Sequence, residues 1–325
     1  MISPRKPNAQ ALGAVFSEIF RFLACQDAIG RAADCARSCT SEERPERLLC
    51  PAAEVRGAGK DQRGAELQQF TAIWRYRHFW CSLVRMDMLT RYRRSFLGVG
   101  WSLLYPLAMT GIFFLVFRNL APPGDENWWR TYIPNTLAGL AVWEFLRNSC
   151  VQGCKTFLVH EPYIRQCPLP YGIYPLRVVL SNLAHALISL GMIALLNAAL
   201  NGFHATSFAV LPAVVLVAVF AWSLATVLAF ATIYFNDIAH IVELAAQGLF
   251  FLTPIVYPRQ NLQGFAWLAD ANPFCAFLEI LREPLIAGTI PSADRYAFCA
   301  LAAMAAFGLA CATILRYEKR LIFRL

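Results

Sequence analysis

A series of uncharged runs, each about the length of a bilayer crossing, decides what this chain can fold into. The first, Gly98–Phe117, is twenty residues without a charge. As a helix it spans about 30 Å, the thickness of a hydrocarbon core. Five more stretches follow. Tyr132–Val151 is interrupted by Glu144 and Arg147. Ile173–Leu200 has Arg177 at its start and His185 inside. Then come Phe208–Phe235, Ala239–Tyr257 with Glu243 near its beginning, and Tyr296–Leu315. Soluble domains carry about 45–50% apolar and about 25% charged residues. Here 58% are hydrophobic and 15% charged, too few polar groups to cover a soluble surface. The sequence therefore predicts an all-α integral membrane protein with six transmembrane helices.

Six crossings leave both ends on one side, and positive charge says which. Arg91, Arg93 and Arg94 precede the first run. Lys155, Arg165 and Arg177 lie between the second and third, and Arg316, Lys319, Arg320 and Arg324 follow the sixth. These segments share a face, which should be cytoplasmic. The opposite loop APPGDENWWR carries a net charge of −1, and its Trp128 and Trp129 sit where an interfacial aromatic belt belongs.

The net charge is +8, and only 4 of the 29 basic residues are lysine. These charges flank apolar runs instead of forming a basic face. The expected partner is thus an anionic membrane surface, and no nucleic acid. In FTAIWRYRHFWCSLVRMDMLTRYRRS, from Phe70 to Ser95, Ile73, Tyr76, Trp80, Val84 and Met88 recur at helical spacing. Residues 66–97 therefore read as an amphipathic interface helix, and 98–325 as the six-span domain. Residues 1–65, rich in Ala, Arg, Glu and Gly, have no trustworthy period and read as a disordered extension without a signal peptide.

Several chemistries are disfavoured. The eleven cysteines show no zinc-site spacing with matching histidines, so no metal is expected. GAGK at 57–60 is no phosphate loop: Glu54 and Asp61 stand where Gly and Ser or Thr belong. Glu144 and Arg147, three apart on one helix face, are read as an intramembrane ion pair that neutralises itself. For Asn182 and His185 a helix–helix hydrogen bond is expected. Between the fifth and sixth runs, NPFCAFLEILREPLIAG is apolar and helix-like but too short to cross. It reads as re-entrant or interfacial half-helices.

Three separated stretches carry a resemblance. LVRMDMLTRYRRSFLGVGWSLLYPL, YFNDIAHIVELAAQGLFFLTPIVYP and NPFCAFLEILREPLIAG resemble, in order and spacing, segments of the permease subunits of type-2 ABC exporters of polysaccharides. That group exports O-antigen, capsule and teichoic-acid chains. The resemblance covers about residue 70 to the end. It implies a permease subunit and no enzyme: a homodimer in the inner membrane, driven by two copies of a separate ABC ATPase. ATP and Mg would bind that partner, and this chain would hold no cofactor. It further implies a lipid-linked glycan as substrate and an outer gate within 258–295. Glu161, Pro162, Tyr163, Ile164 and Arg165, within Gly153–Pro170, would couple to the ATPase, with an apolar knob for its socket. Arg91, Arg93 and Arg94 would contact lipid phosphates and the pyrophosphate of the carrier, which suits arginine's planar fork. Two alternatives remain: a type-2 ABC exporter of small molecules or lipids, and a membrane enzyme acting on lipid-linked sugars. The enzyme would need positioned acids or metal-binding carboxylates. The loops offer only the Asp125–Glu126 pair.

Overall fold

The computed structural model describes residues 77–92, 100–118, 128–161, 164, 169–202, 205–257, 267 and 271–321. Residues 1–76, with the extension expected there, lie outside this set, and so do the first residues of the interface helix. The described residues are all-helical, without a strand. In chain order the helices are α1 (Arg77–Tyr92), α2 (Trp101–Phe117), α3 (Trp128–Val159), α4 (Ile173–Asn201), α5 (Val210–Tyr234), α6 (Ile238–Leu252), α7 (Pro273–Arg282) and α8 (Ala293–Leu321). A 3-10 turn, Ala205–Ala209, precedes α5, and a π turn, Glu283–Ala287, follows α7.

Three helices are long and apolar enough to cross a membrane by length and composition: α4, α5 and the 293–318 part of α8. Helix α3 has 32 residues, about 48 Å, and carries charges along its length. Helices α2 and α6 are apolar but have only 17 and 15 residues. The fifth expected run reaches Tyr257, yet its helix ends at Leu252. Pro254 explains the break: it has no N–H to give, and it pushes Thr253 out of helical geometry. Thr253 sits at φ −94, ψ 126. The segment after the break is buried, with Ile255 2% and Val256 6% exposed.

Helix α3 is the hub. It packs on α2, α4, α5, α6 and α7, while α8 packs on α5 and α7. The central core joins Leu137, Leu146, Val217, Phe277 and Ile280 from these helices. Helices α3 and α5 approach so closely at Gly153 that an added Cβ would lie 2.8 Å from Ala225 Cβ and 2.9 Å from its Cα. Polar residues inside α5 close on their own backbone. Ser223 Oγ donates to Val219 O at 2.7 Å and Thr226 Oγ1 to Trp222 O at 2.8 Å. This satisfies hydroxyls where water is absent.

The outside is apolar as well. Leu115 on α2, Val215 on α5, Leu244 on α6 and Leu301 on α8 are each more than 60% exposed. Only 22% of the most apolar window of α8 is buried. A water-soluble fold would not present so much unbroken hydrocarbon. The solvent this surface fits is lipid.

Candidate functional site

Two ends of the bundle carry the polar chemistry. At the α3–α4 end, Arg177 in the first turns of α4 reaches back to α1. Its Nε donates to Asp87 Oδ2 at 2.6 Å and its Nη2 to Oδ1 at 2.5 Å. This is a two-pronged, charge-assisted contact, the strong kind. Arg177 is 14% and Asp87 33% exposed at the side chain. The pair fixes α1 to the start of α4. Asp87 is the only acid within α1, a signal that the sequence reading passed over.

Beside this clasp, α3 runs on to Val159, so the first seven residues of the 153–170 segment are helical, not loop. His160 Nδ1 donates to Thr156 O at 2.7 Å, and its ring lies 5.8 Å from that of Tyr174. Burial pulls the His160 imidazole below its usual pKa, and the nearby Arg177 adds to the effect. The bond to Thr156 and the Asp87 carboxylate act against it.

Under the turn lies a second core of Phe157, Ile164, Tyr171, Tyr174, Phe230, Ile314 and Leu321. The Phe157 ring meets those of Tyr171, Tyr174 and Phe230 edge-on at 5.1 to 6.2 Å. Ile164 is 7% exposed within it. Its side chain packs in the chain's own core. Glu161 is half-buried. Pro162, Tyr163 and Arg165 lie outside the described residues. So do Arg93 and Arg94, and of Arg91 only the helical backbone is described.

In the middle of α3, Arg147 Nη1 stands 3.8 Å from Glu144 Oε2, which also accepts from Asn148 Nδ2 at 3.0 Å. The carboxylate is thus matched within its own helix. The helix–helix bond expected of Asn182 is present: its Nδ2 donates to Gln152 Oε1 at 3.2 Å, from α4 to α3.

At the α4–α5 end, the 273–288 segment is held by several contacts. Asn272 caps α7, accepting from Phe274 N–H at 3.0 Å, with Pro273 at the first helical position. Gly288 ends the π turn at φ 66, a conformation that costs glycine little. Arg295 Nη1 lies 2.7 Å from Glu279 Oε2 and 2.6 Å from Glu283 Oε1, tying α8 to the segment. Asn197 of α4 donates to Leu285 O at 3.1 Å. The sequence reading passed over Asn197, although Asn197 and Asn201 recur at helical spacing near the end of an apolar run. Trp128 stacks on Tyr132 at 4.3 Å and on Phe114 at 5.8 Å, so this tryptophan has an intramolecular platform. Among the described residues, no group of His, Cys, Asp and Glu could hold a metal ion.

Comparison with known proteins agrees with this architecture. The chain is 26% identical to the O-antigen export system permease protein RfbA of Myxococcus xanthus, over 68% of this chain and 85% of that protein. It is 22% and 23% identical to two proteins of that name from Klebsiella pneumoniae, each over 64% of this chain and 80% of the relative. Residues 78–286 match the ABC-2 type transporter family. Described helix for helix as an apolar, multi-pass bundle, the chain belongs to the ABC-2 type transporter family.

Proposed function

We propose that this chain is the membrane subunit of an ATP-driven exporter that carries a lipid-linked polysaccharide, of O-antigen, capsule or polyol-phosphate type, across the inner membrane. The observation that carries the reading is the similarity, over 80–85% of their length, to permeases named for O-antigen export. Two copies enclose the path, and two copies of a separate ABC ATPase, which bind ATP and Mg, drive it. This chain holds no cofactor of its own.

In this reading α2 to α6 and α8 supply six crossings with both termini cytoplasmic. Helix α1 lies in the inner headgroup layer, and 258–295 forms the re-entrant outer gate. Arg91, Arg93 and Arg94 meet lipid phosphates and the carrier's pyrophosphate. An arginine near an anionic surface gains about 1 kcal/mol from that field. Glu161, Pro162, Tyr163 and Arg165 face the ATPase, and Ile164 anchors their segment from below. The Glu144–Arg147 pair is structural, neutral as a unit within the membrane.

Deletion of the gene followed by envelope glycan analysis tests the reading. The expected result is lipid-linked polymer trapped inside; normal surface glycan overturns it. Genes for glycosyltransferases beside this one would separate a glycan exporter from an exporter of small molecules or lipids. For the pyrophosphate site, Arg91→Ala with Arg93→Ala should reduce export in chains that insert normally. Unchanged export removes that part.

A further inference from the structure

The π turn after α7 sets a problem in backbone chemistry. A helix leaves its last carbonyls without intrahelical partners. Here those carbonyls belong to Leu285 and Ile286, whose residues are 4% and 7% exposed. Asn197 meets them. Its Nδ2 donates to Leu285 O at 3.1 Å and reaches Ile286 O at 3.5 Å. Asn197 is itself 2% exposed near the end of α4. Its amide is oriented in turn, because its Oδ1 accepts from Asn201 Nδ2 at 2.8 Å, and Asn201 also donates to Arg130 O at 3.1 Å. Two asparagines one helical turn apart thus join three elements: the end of α4, the start of α3 and the turn that closes the 273–288 segment.

We propose that Asn197 is the latch that positions the 273–288 segment against α4. The proposal rests on the reading of 258–295 as the outer gate only for what the latch is for. The latch itself stands on the geometry. The segment has other polar ties: Arg282 Nη1 donates to Pro254 O at 3.4 Å, and Asn272 Nδ2, at its start, to Thr253 Oγ1 at 3.3 Å. The Arg295 bridge to Glu279 and Glu283 involves a 37% exposed arginine, where water competes. Asn197 binds out of water, where an unmade bond is not replaced. Moving the segment away from α4 would have to break this bond.

The test uses the full chain in membranes, with Ile286→Cys as reporter and the native Cys150, 7% exposed in the α3 core, as reference. Maleimide labelling is followed peptide by peptide by mass spectrometry, with Asn197 intact and with Asn197→Leu, which keeps the branched shape but removes the amide. The expected result is a rise of about tenfold in labelling at the reporter, the factor that about 1.4 kcal/mol of one lost hydrogen bond gives. Cys150 labelling should not change. Asn201→Leu, which frees the Asn197 amide without removing it, should give a smaller rise in the same direction and serves if Asn197→Leu does not insert. Reporter labelling in Asn197→Leu and Asn201→Leu no higher than with both asparagines intact, or a rise at Cys150 in step with it, overturns the latch. Neither result bears on trapped glycan in the deletion strain, so failure of the latch and failure of the export reading are separable.

Discussion

Asp87 and Arg177, ninety positions apart in the chain, face each other as a planar fork on a carboxylate, with both prongs at 2.5 to 2.6 Å. The contact joins α1 to the helix that follows the α3–α4 turn. Any displacement of that turn that moves the first turns of α4 must carry α1 with it or break the pair.

A double-mutant cycle measures the clasp. Asp87→Asn and Arg177→Gln should each lower the thermal midpoint of the detergent-solubilised protein, because each leaves one half-buried polar group poorly matched. The double variant should lose less than the sum of the two. A coupling energy of about 0.5–3 kcal/mol is expected for groups in direct contact. Additive losses would mean that the pair does not hold α1 in place.

His160 adds a pH dependence whose sign follows from its burial. Its folded pKa is lowered from 6.5, chiefly by desolvation. The unfolded chain therefore binds the extra proton first as pH falls. Stability from the neutral imidazole is whole above about 6.5 and declines below it, toward the folded pKa. The charged and titratable groups facing the ring are Asp87 on α1 and Arg177 and Tyr174 on α4. Between pH 7.5 and 5.5 the native protein should lose more of its thermal midpoint than His160→Gln does. Parallel pH curves for the two proteins would show that the ring is solvated.

The close approach of α3 and α5 leaves no room for a side chain at position 153. Gly153→Ala puts a methyl against the Cα and Cβ of Ala225, at 2.9 and 2.8 Å, and neither atom can swing away. Overpacking of this kind costs about 1–3 kcal/mol. The variant should give less folded protein by size-exclusion chromatography. Adding Ala225→Gly should recover part of the yield, since it removes the Cβ but not the Cα. Full yield from Gly153→Ala alone would place the helices farther apart.

Much of this fold could be read from the chain. Uncharged runs of the right length gave α4, α5 and α8 nearly to their ends, because a lipid solvent forces apolar surface and internal backbone bonding at once. Helix α7 was legible from NPF, since Asn272 and Pro273 form a capping pattern that needs no tertiary information. What escaped was whatever depends on partners distant in sequence. The Asp87–Arg177 clasp and the Asn197 contact to a turn 88 residues on have no local period. The end of α6 was misjudged for another reason: apolar composition continues through Thr253–Tyr257, but Pro254 ends the helix within it.

Ile164 shows the same limit and yields the last prediction. Its neighbours are charged and aromatic, so the local sequence presents it as a knob for a partner. In the fold it sits among Phe157, Tyr171, Phe230, Ile314 and Leu321, at 7% exposure. Removing it opens a cavity in the chain's own core, with a cost of about 2–5 kcal/mol for Ile→Ala. Ile164→Ala should therefore lower the thermal midpoint of the permease by itself, with no ATPase present. A knob seated in the partner would behave in the opposite way: the isolated permease would keep its midpoint, and only assembly or ATP-driven transport would suffer. Measuring the midpoint of the permease alone decides between them, and an unchanged value would return Ile164 to the partner's socket.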